Sequence, residues 1–494
     1  MPRIILFALV LFLSQSFGLE NMRCGTSRFA ENLKKPKKRM LAKEGCVPEN
    51  LYKDVDSRKT KNFIIYYTKS GPHAIRTNEY IDSLASYLEQ AYDMHKNTIG
   101  MKNILGTRLT YHYRQNVPAG LYPVEVIDTG LLRYEEGEFD QTFGLTFPPS
   151  NSPKETEVII ENDFAYGADC SGNFSKFPFI SRGVNYYEEW KLILRATAFH
   201  ELYHAFQFYY TETNSFWMEA SATGVEEIGA PDANDYISYL FDNFRNPGKS
   251  MENISRSEEY GWAALYLFLY SQIGSRFDSA IWNYFSIYLN DNFGMQLSRL
   301  VDSLQRKQGF NKNAEDLFHE YAKRVFYSGS RVRSSPYKLF WGDMEEWPNW
   351  RVNTRTPSVL EPGTIDFVRT ENEPNTAYAK KSLLQDGNYS VWALSRLLEK
   401  EYVAPEPEET VKEIAAYPNP WNPRDPKTSA IYFKYLPKES KGVEIRSANG
   451  ALLARIERKD GNSLFWEPKK IPAPGILYYR ALPYGKNKVL IVQY

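Results

Sequence analysis

The sequence predicts an α+β fold in which strands come first and a mostly helical block follows. Short runs of β-branched and aromatic residues, such as Asn62–Thr68, indicate strands in the first part of the chain. From about residue 187 to residue 327, apolar residues recur at helical spacing. Beyond residue 337 the helical periodicity fades and short β-like runs return.

The composition is typical of a large folded protein. A length of 494 residues is usual for about three domains and allows a large core. An aromatic fraction of 15% argues against a disordered chain. The 60 Lys and Arg residues balance 60 Asp and Glu residues, so we expect no nucleic-acid partner held through a basic domain.

Residues 1–18 have the pattern of a secretory signal peptide. Arg3 precedes an apolar run over Ile4–Leu13, and Ser16 and Gly18 take the −3 and −1 positions of the expected cleavage site. The run is too short to span a membrane and no later stretch is apolar enough, so we expect no membrane span. The sequence therefore predicts an exported chain that begins near Leu19.

The three cysteines leave two readings open. Cys24 and Cys46 flank the basic run Lys34–Arg39 and form a disulfide in an oxidising compartment, leaving Cys170 over, or all three are ordinary thiols. Cys24 also raises the alternative of a lipoprotein, but the preceding Asn-Met-Arg lacks the small residues of a lipid-attachment site. The basic run is either a solvated segment or a processing point.

The elements of the first 335 residues follow from periodicity. We expect strands over Asn62–Thr68, Leu109–Tyr113, Val124–Ile127 and Glu157–Ile160. We expect helices over about Thr77–Thr98, Tyr187–Tyr210, Phe216–Ile228, Asp232–Phe244, Gly261–Ile273, Phe277–Leu289, Gln296–Gln308 and Ala314–Tyr327. This order of elements is not the regular alternation of a parallel α/β fold.

The last third of the chain divides into three parts. Residues 336–403 form a β-rich region, with β-like runs near Thr364–Val368 and Ser390–Leu394. Residues 404–415 begin with Ala-Pro-Glu-Pro-Glu-Glu and are a linker. Residues 416–494 contain five short apolar runs separated by turn residues, which predicts a small β-sandwich.

The strongest chemical signal is the run Ala-Phe-His-Glu-Leu-Tyr-His-Ala inside a predicted helix. His200 and His204 are four positions apart, so both imidazoles lie on one helix face and reach one metal ion. Glu201 projects beside that ion, where a carboxylate takes a proton from water. The chain holds only six histidines, so this pairing is informative. The pattern predicts a zinc site with Glu201 as general base.

The next predicted helix offers a third ligand. Glu219 lies 15 residues after His204, and a loop between the helices lets the second fold back onto the first. Glu226 follows two turns later on the same face, where it would accept a hydrogen bond from a ligand histidine. Glu227 competes with it for this role. The remaining histidines, at positions 73, 95, 112 and 319, lack ligand partners at useful spacing and are interpreted as structural.

His-Glu-x-x-His followed by Trp-Met-Glu-Ala-Ser-Ala-Thr-Gly-Val-Glu-Glu resembles the gluzincin metalloproteases, the thermolysin and aminopeptidase N group. Residues 24–333 are also similar to a family of secreted bacterial proteins with this motif. The resemblance implies a zincin-like catalytic domain over residues 61–335, preceded by an N-terminal segment over 19–60. Two features depart from the pattern, since the spacing from His204 to Glu219 is shorter and the Gly-x-Met-Glu-Asn recognition strand is absent.

The chemistry expected of such a site is hydrolysis of a peptide bond. Zinc held by His200, His204 and Glu219 lowers the pKa of water and polarises the scissile carbonyl. Glu201 takes the proton and returns it to the leaving amine. Tyr260, which opens the helix after the metal helices, is the candidate donor to the oxyanion. Expected partners are therefore a protein or peptide substrate and zinc.

The C-terminal run Tyr-Pro-Asn-Pro-Trp-Asn-Pro, followed by strands and a closing Lys-Val-Leu-Ile-Val-Gln-Tyr, resembles the sorting domain of the bacterial type IX secretion system. The resemblance covers about residues 416–494. It implies that the type IX machinery is a partner and that the chain is secreted or held at the cell surface. An ordinary carbohydrate-binding or surface-binding sandwich is the alternative.

Two functions fit the sequence. One is a secreted zinc metallopeptidase. The other is a non-catalytic surface or polymer-binding protein on a metalloprotease-like scaffold. Glu201 favours the enzyme, because metal binding alone needs ligands but no general base.

Overall fold

The structure of the protein is a computed structural model. It describes residues 24, 26, 54–134, 137–138, 142–148, 152, 154–166, 177–178, 180–181, 184–210, 215–254, 256–400, 414–425, 428–436, 440–458, 464–483, 485 and 487–494. The chain divides into two compact units, Met1–Tyr402 and Val403–Tyr494.

The first unit starts with a mixed sheet. Its strands and the short ribbons beside it are β1 (Val55–Lys59), β2 (Phe63–Thr68), β3 (Leu105–Gly106), β4 (Tyr122–Ile127), β5 (Arg133–Tyr134), β6 (Gly137–Glu138), β7 (Gly144–Phe147), β8 (Glu155–Glu161), β9 (Ala165–Tyr166), β10 (Phe177–Pro178), β11 (Ile180–Ser181) and β12 (Val184–Asn185). The six-stranded sheet has the order β1-β2-β4-β8-β3, and β7 also pairs with β8. Strands β2, β4 and β8 are parallel, whereas β1 and β7 are antiparallel to their neighbours.

Both faces of this sheet are covered. Along β2, Phe63 and Ile65 contribute to the large core, whereas Ile64 and Tyr66 belong to a smaller core. This alternation follows from the two-residue period of a strand. A strand buried on both faces is an unbroken apolar run in sequence, which is why β2 is easy to predict.

The helices follow the sheet in sequence, apart from the first. They are α1 (Asn78–Asp93), α2 (Trp190–Phe208), α3 (Ser215–Gly229), α4 (Ile237–Arg245), α5 (Arg256–Glu259), α6 (Ala263–Ile273), α7 (Phe277–Ile287), α8 (Phe293–Gln308) and α9 (Ala314–Val325). The central helix α2 contacts β7 and β8 as well as α1 and α3. It is buried almost all round, as expected of a helix enclosed by other elements.

A buried carboxyl group connects three helices behind this centre. Asp278 of α7 accepts hydrogen bonds from the Tyr203 hydroxyl of α2 and from Trp217 Nε1 of α3, the latter at 2.6 Å. Burial raises the pKa of Asp278 from 3.8 to about 7, although both hydrogen bonds oppose that rise. The group therefore holds α2 and α3 together and is sensitive to pH near neutrality.

The first unit ends with a three-stranded sheet of β13 (Thr364–Arg369), β14 (Lys380–Asp386) and β15 (Tyr389–Arg396), in the order β13-β15-β14. This sheet packs on α9, and Phe367 and Val391 belong to the same core as the helices. Residues from both the sheet and the helices thus form one continuous apolar interior.

The described residues of the second unit form seven strands. They are β16 (Ala415–Tyr417), β17 (Ile431–Lys434), β18 (Gly442–Ser447), β19 (Leu452–Glu457), β20 (Leu464–Trp466), β21 (Gly475–Leu482) and β22 (Lys488–Val492). They form two antiparallel sheets with the orders β16-β17-β20 and β19-β18-β21-β22. Both sheets contribute to one core around Trp421.

The mixed α+β class is confirmed, and so are the expected strands around β2, β4 and β8 and the expected helices. The strand expected over Leu109–Tyr113 is wrong. The backbone N–H groups of Tyr111, His112 and Tyr113 donate to the buried carboxylates of Glu125 and Glu157 instead of to a neighbouring strand. The helix expected from Asp232 begins at Ile237, because Asn234 has a φ of 48° that interrupts a right-handed helix.

In the part of the chain that the structure describes, no helix combines the length and apolar character needed to cross a bilayer.

We expect Asp278→Asn to remove a pH dependence of stability. The carboxyl of Asp278 ionises near pH 3.8 when unfolded but only near pH 7 when folded, so its stabilising effect is full below pH 3.8 and is lost towards pH 7. Between pH 5 and pH 8 the free energy of unfolding of the wild type should fall by about 2 kcal/mol more than that of the variant. Denaturant unfolding followed by tryptophan fluorescence measures this difference.

Asp302→Asn is the matched control, since Asp302 pairs with Arg306 on the exposed side of α8. Its unfolding should follow the wild-type pH profile. Parallel profiles for the wild type and Asp278→Asn would contradict the assignment.

Candidate metal centre

The motif on α2 brings two imidazoles together inside the protein. His200 Nε2 and His204 Nε2 are 2.9 Å apart, and the two side chains are 4% and 0% exposed. One helical turn separates the residues, so the rings lie on one face. The helix is held between the sheet and α3, which fixes where this face points.

Glu219 of α3 completes the group of three that the sequence predicts as ligands. Its Oε2 lies 3.2 Å from His200 Nε2 and 3.4 Å from His204 Nε2. The side chain is fully buried. The shorter spacing from His204 therefore does not keep this carboxylate from the two imidazoles.

A fourth donor, from a distant part of the sequence, joins these three. Cys24 Sγ lies 3.3 Å from His204 Nε2 and 3.9 Å from Glu219 Oε1. All four donor atoms lie within 4.8 Å of one another. A tetrahedral zinc ion with ligand bonds of about 2.1 Å holds its ligands about 3.4 Å apart. The separations of 2.9 to 3.9 Å therefore suit one zinc ion.

The outer nitrogens of both imidazoles have acceptors. His200 Nδ1 contacts Glu226 Oε1, and His204 Nδ1 lies 2.7 Å from Gln207 Oε1. The Gln207 amide in turn donates to the Met218 carbonyl and to Ser221 of α3. With a metal ion in the cluster, these acceptors would hold the proton of each imidazole on Nδ1 and leave both Nε2 lone pairs to face the ion.

The electrostatics of the cluster favour a cation. Burial by itself would raise the pKa of Glu219, but the two imidazoles outweigh it and lower that pKa to about 2. Burial likewise lowers the pKa of His204, but Cys24 and Glu219 outweigh it and raise that pKa to about 10. A proton or a metal ion between the two Nε2 atoms, which lie 2.9 Å apart beside a carboxylate, would relieve the repulsion of their lone pairs.

Glu201, the predicted general base, lies in a closely packed environment next to the cluster. Its Oε2 is 2.8 Å from Thr146 Oγ1 of β7 and 3.2 Å from Thr26 Oγ1. Burial raises the pKa of Glu201, although the two imidazoles and Thr146 oppose the rise. A Cβ on Gly144 would come within 2.4 Å of Glu201 Cγ, so β7 needs glycine there.

Tyr260 lies beside the cluster as well. Its ring stacks on that of His200 with centroids 6.0 Å apart, and its hydroxyl donates to the Cys24 carbonyl at 3.3 Å. Burial, followed by the charges of Glu219 and Cys24, raises the pKa of Tyr260 well above its ordinary value. The hydroxyl therefore keeps its proton and is a hydrogen-bond donor.

The site also contains Cys24, Thr26, Thr146 and Gln207, which the sequence motif does not include. Gln207 follows His204 by three positions on the same helix, so the helical period was a usable signal for it. Cys24 and His204 are 180 residues apart, and nothing in their spacing points to contact. The structure has Cys24 as a free buried thiol, whereas Cys46, its expected disulfide partner, lies outside the described residues.

The other described histidines have structural contacts. His73 Nδ1 accepts from the Asp128 amide, His95 Nε2 contacts the Phe199 carbonyl, and His319 contacts two serine hydroxyls. His112 lies with Glu125 and Glu157 in a second group of possible ligands. The oxygens of these two carboxylates already accept hydrogen bonds from the loop at residues 107–113, which they hold in place.

Glu227 takes no part in the cluster. Trp341 Nε1 donates to its carboxylate at 3.0 Å, whereas the neighbouring Glu226 contacts His200. The choice between these two acidic residues, which the sequence left open, is therefore resolved by contact in favour of Glu226.

The chain matches no model of a known protein family, no curated protein and no solved structure.

We expect Glu219→Gln to weaken zinc binding at least about tenfold, because it removes a charged ligand from a buried cluster. Glu226→Gln should weaken it about tenfold or more by loosening the orientation of His200. Competition with a zinc chelator, followed by metal analysis, measures both effects.

Glu227→Gln is the matched control, because it makes the same change one residue further along α3 and keeps an acceptor for Trp341. Equal zinc affinity in Glu219→Gln and Glu227→Gln would show that the cluster is not a metal site.

Proposed function

We propose that the protein is a zinc-dependent metallopeptidase. The observation that carries this proposal is the position of Glu201. Its carboxylate lies beside His200, His204 and Glu219, the three predicted metal ligands, but is not itself predicted to bind the metal. A structural zinc site has no use for such a group, whereas hydrolysis requires a base next to the metal. His200 and Glu201 also line one cavity of about 20 Å³, which has room for about one water molecule.

The residues divide the chemistry between them. Zinc in this site would lower the pKa of water and polarise a carbonyl group. Glu201, whose pKa burial raises, would accept the proton of the attacking water and pass it to the leaving amine. Tyr260, which keeps its proton, would donate to the oxyanion that forms.

The sheet beside the site supports a peptide as substrate. Strand β7 pairs with β8 along one edge, and Thr146 of β7 contacts Glu201. An extended peptide adds to such an edge through main-chain hydrogen bonds, which would carry its carbonyl past Glu201. The alternative function, non-catalytic binding of a polymer, would use the same edge but would not depend on Glu201.

We expect Glu201→Gln to lower peptide hydrolysis at least about a hundredfold while zinc content stays at the wild-type level, because only the base is removed. Hydrolysis of quenched fluorescent peptides and of casein, alongside metal analysis, measures this. The comparison is made in the native chain and in a Cys24→Ala chain, since Cys24 lies on the metal cluster.

Glu227→Gln again serves as the control and should keep full activity. Hydrolysis that persists in Glu201→Gln, or a zinc-loaded chain with no hydrolysis in either background, would favour the non-catalytic alternative.

We propose, in addition, that the second unit is a type IX sorting domain that directs export to the cell surface or the medium. Support comes from how its first motif meets its last strand. Asn419 of Tyr-Pro-Asn-Pro accepts from the Ile491 amide at 3.0 Å and donates to the Val489 carbonyl at 2.9 Å. The Trp421 amide donates to the Ile491 carbonyl at 2.8 Å. The motif and β22 therefore depend on each other.

We expect a fusion of residues 403–494 to a reporter to be exported by a bacterium with a type IX system. Asn419→Ala should reduce export because it removes both contacts with β22. Asn449→Ala, in a turn of the same unit, is the control. Equal export with and without the fused unit would contradict the proposal.

A further inference from the structure

We propose that Cys24 and Thr26 form an inhibitory plug that closes the active site, so that the full chain is latent. This inference rests on the proposed peptidase function and concerns the regulation of the same site. These two residues contact the predicted metal ligands, the proposed general base Glu201 and the open edge of β7 at the same time.

The first contact is with the metal ligands. Cys24 Sγ completes a four-atom donor set with His200, His204 and Glu219, and its side chain is 2% exposed. A catalytic zinc site keeps its fourth position open for water or substrate. A thiol in that position leaves none open, because thiolates are strong zinc ligands.

The second contact is with the base. Thr26 Oγ1 donates to Glu201 Oε2 at 3.2 Å and accepts from the Thr146 amide at 2.8 Å. The Thr26 amide donates to Cys24 Sγ at 3.3 Å, so the two plug residues are also linked to each other. The Thr26 hydroxyl therefore occupies the Glu201 oxygen to which a catalytic water molecule would donate. It also occupies the Thr146 amide, to which the backbone of a substrate would bind.

The third contact is with the edge strand. Cys24 forms a parallel bridge with Gly144, which lies on the edge of β7 that β8 leaves open. The Cys24 carbonyl accepts from Tyr260 at 3.3 Å, in the place proposed for a substrate carbonyl. A peptide substrate and the plug would therefore compete for the same edge and for the same tyrosine.

These contacts distinguish inhibition from a structural fourth ligand. A ligand that only stabilised the fold would need neither a hydroxyl on Glu201 nor a place on the substrate edge. Opening would need only that Cys24 leave the cluster and bind a proton on its thiol, so that water could take its place at a metal held by His200, His204 and Glu219. In the sequence, the basic run Lys34–Arg39 separates Cys24 from β1, so a cut there would free the plug from the unit.

Cobalt substitution tests the sulfur contact without any measurement of activity. Thiolate bound to cobalt gives a charge-transfer band in the near ultraviolet. We expect this band in the wild type, in Glu201→Gln and in the matched control Cys46→Ala, and we expect its loss in Cys24→Ala. Its absence from the wild type would overturn the inference.

Peptide hydrolysis by the zinc-loaded full chain tests the inhibition. We expect Cys24→Ala to hydrolyse peptides about tenfold faster than the wild type or more, because a tethered plug competes at a high effective concentration. Thr26→Val should raise the rate while keeping the cobalt band, since it removes only the hydroxyl. Cys46→Ala should match the wild type.

Other outcomes separate the failure of this inference from the failure of the proposed function. Equal rates of Glu201-dependent peptide hydrolysis in the wild type and in Cys24→Ala would overturn the inhibitory role of Cys24 but would leave the proposed peptidase function intact. Loss of both zinc and activity in Cys24→Ala would make Cys24 a structural ligand and also overturn the plug. A zinc-loaded Cys24→Ala chain with no Glu201-dependent hydrolysis would overturn the peptidase, and the inhibitory role with it.

Discussion

A buried group of imidazole and carboxylate side chains is the constraint on which the rest of the first unit depends. His200, His204 and Glu219 place two imidazoles and a carboxylate in the interior of the protein, where none of the three residues is more than 4% exposed. Polar and charged groups are costly in an apolar interior unless they are paired, so this cluster depends on the fixed neighbours that hydrogen-bond to it. Two features hold these neighbours in place. Helix α2 lies between the sheet and other helices, and Asp278 accepts hydrogen bonds from both α2 and α3.

Three glutamates within this space have different roles because their neighbours differ. Glu219 faces two imidazoles, which lower its pKa and keep it charged. Glu226 contacts the outer nitrogen of His200 and orients that ring. Glu201 has hydroxyl groups as its hydrogen-bond partners, and burial raises its pKa. A carboxylate with a raised pKa is the one suited to accepting a proton and releasing it again.

Short-range patterns account for what the sequence predicted at this site. The four-residue spacing of His200 and His204 and the two-turn spacing of Glu219 and Glu226 are properties of single helices, and helices preserve them in the fold. Contacts between distant segments leave no such period. Cys24, which is distant in sequence from the other residues of the cluster, is an example. Strand β7 could not be predicted for a different reason, because Gly144–Phe147 is too short to show the alternation of a strand. The strand expected over Leu109–Tyr113 failed for a related reason, since buried carboxylates from other strands bind its backbone.

Access to the base sets a limit on what the site can act on. Glu201 is 1% exposed, and Gly144 leaves no room for even a methyl group beside it. A bulky group therefore cannot approach through β7. On another side lies the cavity of about 20 Å³, whose walls include Phe143 and Tyr239 as well as His200. Under the proposed function, a substrate would have to be narrow where it passes Glu201, as an extended peptide backbone is, and side chains that contact those aromatic walls would set its selectivity.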